Sequence, residues 1–230
     1  MCIRDRIIGT HGRSLWIMDD ISPLQQLSSA VHNKSFHLLE QKPATLWNNI
    51  SRGGQRGHFW FAGDNPATID NINSNARAGF NNQVAVSFMV NKPGIDSLDV
   101  VFTDQAGLHS KRHRVAVEQG INRIYWNREF EAQAFTKVQT DDIHQIFKSI
   151  MANNSASSIK RMYRAFSTAT SPYEQRKALD PLTKSYLSYA LPKDYGLPMA
   201  EEGIYIVSIV YKDESHSTTI TIRDDPMNEK

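Results

Sequence analysis

The sequence predicts a mainly β fold, an antiparallel sandwich interrupted by a helical insertion, and three observations predict it. Val84, Val86, Phe88 and Val90 alternate with Ala85, Ser87 and Met89, and Leu98, Val100 and Phe102 alternate with Asp99, Val101 and Thr103. A period of two is that of a strand with one face more buried than the other. Turn signals at Pro93-Gly94, Asp104-Gln105-Ala106-Gly107 and Gln119-Gly120 divide these runs, at the intervals of roughly 10 residues that mark antiparallel sandwiches. The period then changes: Ile143, Ile146, Phe147 and Ile150 fall at i, i+3, i+4 and i+7, and alternation returns only at Gly203.

Taken in order, Ile7-Ile8-Gly9-Thr10 and Ser14-Leu15-Trp16-Ile17-Met18 are apolar runs around the turn His11-Gly12-Arg13. Ser22 followed by Pro23 reads as an N-cap and first helical position, so 23–31 is expected to be a short helix or turn. Ser35-Phe36-His37-Leu38-Leu39 reads as a brief strand, and 48–82, rich in Gly, Asn and Arg, as connecting loop. Strands are expected at 114–118 and 121–126. Lys111-Arg112-His113-Arg114, the densest basic cluster, is then a solvated hairpin edge between strand-like runs.

Thr140 is placed to cap a helix whose first turn carries Asp141 and Asp142, near the positive end of the helix dipole. Ile159, Met162, Tyr163 and Phe166 repeat the helical spacing, and Ser171-Pro172 opens a third helix extending to about Tyr189. These apolar stripes read as core contacts rather than as a cofactor pocket. Ile204, Ile206, Ser208 and Val210 set against Tyr205, Val207, Ile209 and Tyr211 put apolar residues on both faces, the mark of a central strand. Residues 212–216 make a turn and 217–223 the last strand. The sandwich thus divides into 83–134 and 199–226, with a helical insertion at 135–198 and an irregular connecting region at 32–82.

Composition narrows the function. With 40% hydrophobic residues among 230, the chain can bury a core. The 26 basic and 24 acidic residues leave a net charge of only +2, which gives no electrostatic case for a nucleic-acid partner. No apolar run approaches the roughly 20 residues of a membrane span. Met1-Cys2-Ile3-Arg4-Asp5-Arg6 resembles translated sequencing-adapter sequence, so residues 1–6 are expected to be non-native, and Cys2, the only cysteine, with them. Without a native cysteine, a disulfide framework and a thiolate metal site are excluded, and export is compatible.

The segment Gly9-Thr10-His11-Gly12-Arg13-Ser14-Leu15-Trp16-Ile17-Met18-Asp19-Asp20-Ile21-Ser22-Pro23-Leu24 resembles the closing segment of a bacterial family of exported β-propellers. That family has sortilin-like, BNR/YVTN-type repeats and is often labelled glycosyl hydrolase. Weaker similarity continues through His37-Leu38-Leu39, Lys42-Pro43-Ala44, residues 120–127 and Gly203-Ile204-Tyr205 to Asp225-Pro226. Those pieces are similar to the family's C-terminal Ig-like or Fn3-like sandwich. The resemblance implies that 7–31 is the terminal propeller strand and linker, that the protein is extracytoplasmic (periplasmic or secreted), and that its first partner is the propeller of its own parent chain. A polysaccharide or protein ligand is the further partner implied. The helical insertion departs from the Gly- and Pro-rich loop usual at that place, so no role carries over to it.

No catalytic residue, metal ligand or cofactor is expected in the chain. It has no Gly-x-Ser-x-Gly elbow. His109 and His113 stand at i, i+4, but without an adjacent glutamate and in an expected hairpin, which is a weak metal signature. Asp19 and Asp20, adjacent at a strand end, point to opposite faces and suit capping better than the facing carboxylates of a glycosidase. Since the innermost strands of a propeller line its channel, the resemblance makes His11 and Arg13 candidate ligand contacts, against a competing role of bonding backbone carbonyls where blades converge. Gly53-Gly54-Gln55-Arg56-Gly57 lacks the lysine-serine/threonine ending of a phosphate loop. Trp60, between Phe59 and Phe61, is the third candidate ligand contact, for sugar or partner, unless these aromatics pin their loop to the sandwich. The expected function is a non-catalytic accessory or binding module of an exported propeller protein. The alternative is the tail of a glycoside hydrolase whose active site lies on the propeller.

Overall fold

The structure, a computed structural model, describes residues 6–9, 15–18, 21–46, 83–153, 157–183 and 191–224, with backbone alone for 6–9, 15–18 and 153. It is mainly β with a few helices. The chain divides into two compact units, Met1–Arg128 with Ala200–Lys230, and Glu129–Met199.

In the first unit, β1 (Arg6–Gly9) and β2 (Leu15–Met18) pair antiparallel in a two-stranded sheet of their own. Two short helices follow, α1 (Ser22–Gln25) and α2 (Ser29–His32). The cap of α1 is Ile21, with Pro23 near the first helical position, so Ser22 is inside the helix rather than capping it. Ser28 caps α2, its Oγ accepting from Val31 N–H at 3.4 Å. Eight strands then build two larger sheets: β3 (Phe36–Leu38), β4 (Ala44–Leu46), β5 (Val84–Val90), β6 (Ser97–Asp104), β7 (Ser110–Ala116), β8 (Gly120–Trp126), β9 (Gly203–Tyr211) and β10 (Glu214–Asp224). One sheet has the order β4-β10-β9-β6-β7 and the other β3-β5-β8.

The five strand runs read from alternation, at Val84–Val90, 98–103, 121–126, Gly203–Tyr211 and 217–223, all lie in these two sheets. Three details depart from the sequence reading. The turn between β9 and β10 is two residues, Lys212 and Asp213, with Lys212 at φ 52°, so 214–216 belong to the strand. The basic cluster lies within β7, which begins at Ser110 and not at Arg114. The sheets are not wholly antiparallel, because β4 runs parallel to β10, Ala44 opposite Ile222.

Alternation places one row of each strand inward. Leu98, Val100 and Phe102 of β6, Val207 and Ile209 of β9, and Ile220 and Ile222 of β10 are buried, as are Val84, Val86, Phe88 and Val90 of β5. The two sheets meet through aromatic rings: Phe102 stacks on Trp126 with centroids 4.3 Å apart, and Tyr205 meets Trp126 edge-on at 5.9 Å. The outward residues of β5 are covered too. Met89 packs with Val31 and Leu39, and Ser87 exchanges backbone hydrogen bonds with the Gln41 amide at 2.8 and 2.9 Å. Burial on both faces of β5 follows from this cover. At the mouth of β9, Tyr205 Oη donates to Glu201 O at 3.0 Å.

The second unit holds α3 (Lys137–Asn153), α4 (Ser157–Thr168) and α5 (Pro172–Thr183), then a 3-10 turn at Lys193–Tyr195. The cap of α3 is Thr136, not Thr140. Thr136 Oγ1 accepts from Gln139 N–H at 3.2 Å while Gln139 Oε1 accepts from Thr136 N–H at 3.0 Å, a reciprocal capping box. Thr140 sits a turn inside, its hydroxyl donating to Thr136 O. Ser171 and Glu174 form the same kind of box at the start of α5, and those hydrogen bonds from Thr170 and Ser171 hold the Glu174 carboxyl below its usual range. Of the residues the helical spacing marks, Ile143, Phe147, Ile150, Ile159 and Phe166 are buried in the core and Ile146, Met162 and Tyr163 pack against it partly buried, while Leu179 and Leu182 join the core from α5. Buried Arg176 ties the loops of this unit together: its guanidinium donates to Gln133 O (2.8 Å), Asp194 O (2.6 Å) and Gly196 O (3.2 Å) and lies 4.3 Å above the Phe135 ring. A Cβ at Gly196 would come within 2.7 Å of Thr183 Oγ1, so a larger residue there requires a neighbour to shift.

Candidate functional site

Of the residues singled out from sequence, His11, Arg13 and Trp60 lie outside the described residues, as do Asp19, Asp20 and the 53–57 glycine-rich loop. His109 and His113 are described and have separate surroundings. His109, in the loop before β7, bonds through Nδ1 to Asp104 Oδ2 at 3.0 Å, while the ring of His113, within β7, stands edge-on to Phe102 at 6.0 Å. Among the described residues no group of three His, Cys, Asp or Glu side chains could hold a metal ion, and no helix is long and apolar enough to cross a membrane.

The described feature with the most concentrated charge is β7, the strand at one end of the five-stranded order. Its pairing to β6 is unbroken over seven residues, from Thr103 opposite Ser110 to Ser97 opposite Ala116. That register sets Arg112 opposite Val101 and Arg114 opposite Asp99, on the outer face of the sheet. Both arginines reach the same carboxylate: Arg112 Nη1 lies 3.3 Å from Asp99 Oδ2 and Arg114 Nη1 lies 3.3 Å from Asp99 Oδ1. Arg114 is also anchored on Ser97 Oγ through Nε (3.0 Å) and Nη2 (2.7 Å). The arginine side chains remain 62% and 65% exposed while Asp99 is 17% exposed. One carboxylate against two guanidiniums leaves positive charge on the rim, and Lys111 adds to it from the opposite face of the strand. Exposed ion pairs of this kind contribute about 0–1 kcal/mol, so exchanging Asp99 for another carboxylate costs the arginines little.

The hairpin that presents β7 is set by Asp104. Leu108 N–H donates to Asp104 Oδ1 at 2.8 Å, and Gly107 in the same loop has φ 71°, a conformation that favours glycine. Although desolvation opposes it, hydrogen bonds from His109 and the Leu108 amide keep the Asp104 carboxyl below its ordinary range.

A second titratable cluster joins β3 to β10. Lys34 Nζ donates to His37 Nδ1 at 3.2 Å, His37 meets His216 edge-on at 5.7 Å, and His216 meets Phe36 edge-on at 5.3 Å. Burial, and then the charge of Lys34, hold His37 below the ordinary histidine value. In the helical unit, a shallow groove of about 390 Å³ beside Ala165, Ala169 and Ala178 is rimmed by Glu174, already engaged in its capping box, and Lys177.

Neither the Asp99 arrangement nor the His37–His216 pair was singled out from the sequence. The alternation of Arg112 and Arg114 around His113 was a usable signal for the first, because residues two apart share a strand face. The partner Asp99 becomes visible only once the register is known. No local signal joins His37 to His216, whose meeting depends on two strands from opposite ends of the chain. Compared with protein-family models, curated proteins and solved structures, the chain matches none.

Proposed function

We propose that the chain is a non-catalytic accessory module of an exported β-propeller protein, in which β1 and β2 belong to the last blade and the two larger sheets form an Ig-like sandwich beside it. The observation that carries the reading is the separate sheet of β1 and β2. Its second strand, β2, lies within the Gly9–Leu24 stretch that resembles a propeller's closing segment, while β1 reaches that stretch only at Gly9, and propeller blades are four-stranded sheets. A two-stranded hairpin is marginal alone, so the expected role of β1–β2 is to complete a blade.

The Ig-like part of the reading is supported by strand order. Taken as A, A′, B, C, C′, E, F and G, β3 to β10 fall into one sheet A-B-E and another A′-G-F-C-C′, with the helical unit between E and F. Tyr205, near the start of β9, donates back to Glu201 O, as does the tyrosine corner at the start of strand F in Ig-type sandwiches. In this reading the sandwich supports the propeller and contacts a glycan or protein partner.

The test is turnover by the purified chain on a panel of chromogenic glycosides, esters and peptides, with Asp19→Asn, Asp20→Asn and His11→Ala in parallel. The expected result is no turnover above the blank in any of them. Reproducible activity in the wild type that disappears in one variant overturns the reading.

A further inference from the structure

We propose that the β7 edge is a docking strand for an acidic extended segment of a partner protein, which would add to the five-stranded sheet as a further strand. Every second residue of an end strand turns its N–H and C=O away from its neighbour, leaving a template for pairing. Proteins usually blunt such edges by shortness, proline, bulges or charge. At the opposite end of this sheet β4 follows Pro43, and proline blunts an edge. β7 is seven residues long, without proline and in unbroken register. Among the described residues, only charge marks it.

That charge selects the occupant. Antiparallel pairing of β7 with β7 of a second copy, centred near His113, would set Arg112 and Arg114 against each other, and like charges directly opposite destabilise a strand pair. A partner strand with carboxylates at alternate positions would instead place them opposite Arg112 and Arg114, whose exposed guanidiniums Asp99 and Ser97 already hold in position. The other long strand at a sheet end, β8, has no such row: its one charged side chain, Arg123, donates to Ser87 Oγ at 3.0 Å. Main-chain hydrogen bonds would supply the affinity and the arginines the specificity, as in other strand-addition complexes. The inference is independent of the propeller reading, because it concerns the 230-residue chain itself.

The probe is a capped peptide of about nine residues alternating Thr and Glu, long enough to span β7, titrated against the full chain at low salt. Binding is read by amide hydrogen exchange and by fluorescence anisotropy. The expected result is saturable, salt-sensitive binding with new exchange protection concentrated in Ser110–Ala116. Arg112→Glu with Arg114→Glu, and separately Arg112→Thr with Arg114→Thr, are expected to weaken binding about tenfold or more. Unchanged circular dichroism would show that both variants remain folded. N-methylation of alternate peptide amides, which keeps the carboxylates but blocks pairing, is expected to abolish the protection. Absence of binding overturns the proposal. So does binding that survives N-methylation or charge reversal, protection elsewhere on the chain, or dimerisation of the chain through β7.

Discussion

Phe102 carries the contact between the two larger sheets, since it is fully buried and stacked 4.3 Å from Trp126. Truncation to alanine removes that stacking and leaves a cavity between two layers that cannot both collapse into it. Phe102→Ala is expected to cost about 3–5 kcal/mol, measured by urea unfolding of the β unit. A loss of under about 1 kcal/mol would mean that the sheets are not held by this pair. His37 makes a different prediction, for pH. Its folded value is lowered, so the unfolded chain takes up the proton first. The stability that neutral His37 contributes is therefore complete above about 6.5 and is lost as pH falls from there through the lower folded value. His37→Gln is expected to flatten the stability profile over that interval, and an unchanged slope would contradict the cause assigned. At this scale the sequence was informative about Phe102, whose place in an alternating run marks it as inward. It was silent about His37, whose neighbours come from strands far apart in the chain.

Among the elements, those with a long regular period were readable and those fixed by a distant partner were not. Val84–Val90 and Gly203–Tyr211 declare themselves, the first by alternation over seven residues and the second by a nine-residue apolar run bounded by turn signals. β4 has three residues, and its parallel partner β10 lies near the other end of the chain, with Arg223 Nε donating to Thr45 Oγ1 at 2.8 Å. Nothing local distinguishes it from loop. The start of α3 was legible in principle: Thr136 and Gln139 stand at the capping-box spacing, but Thr140 before two aspartates is the more conspicuous signal. The two positions separate experimentally. Thr136→Ala should destabilise the helical unit by about 1 kcal/mol, whereas Thr140→Ala, deep in the first turns, should cost a few tenths at most or stabilise it. Equal effects in thermal melts would contradict the cap assignment. The basic cluster was read as a solvated hairpin edge between strand-like runs, whereas it lies within the end strand β7, and its bond to Asp99 required the register.

For the whole molecule, the division into two units has a direct consequence. Ala200 N–H donates to Arg128 O at 2.7 Å and Arg128 Nη1 donates to Ala200 O at 2.9 Å, so the β unit leaves and re-enters at one point. Loop-closure entropy grows slowly with length, which makes a helical unit between these residues thermodynamically tolerable. Replacing Glu129–Met199 with a linker of about two to four glycine and serine residues is expected to leave a folded β unit, with the Trp126 and Phe102 ring-current shifts intact by nuclear magnetic resonance. An unfolded product would mean that the β unit depends on the helices. The propeller assignment for β1 and β2, with export of the parent protein, is the central claim at this scale. It is tested most directly by reading the source DNA upstream of the codon for Ile7. The account predicts an open frame continuing into repeated Asp-box propeller blades behind an export signal. An in-frame stop codon immediately upstream of Met1, or a continuous frame encoding no propeller blades, would contradict it.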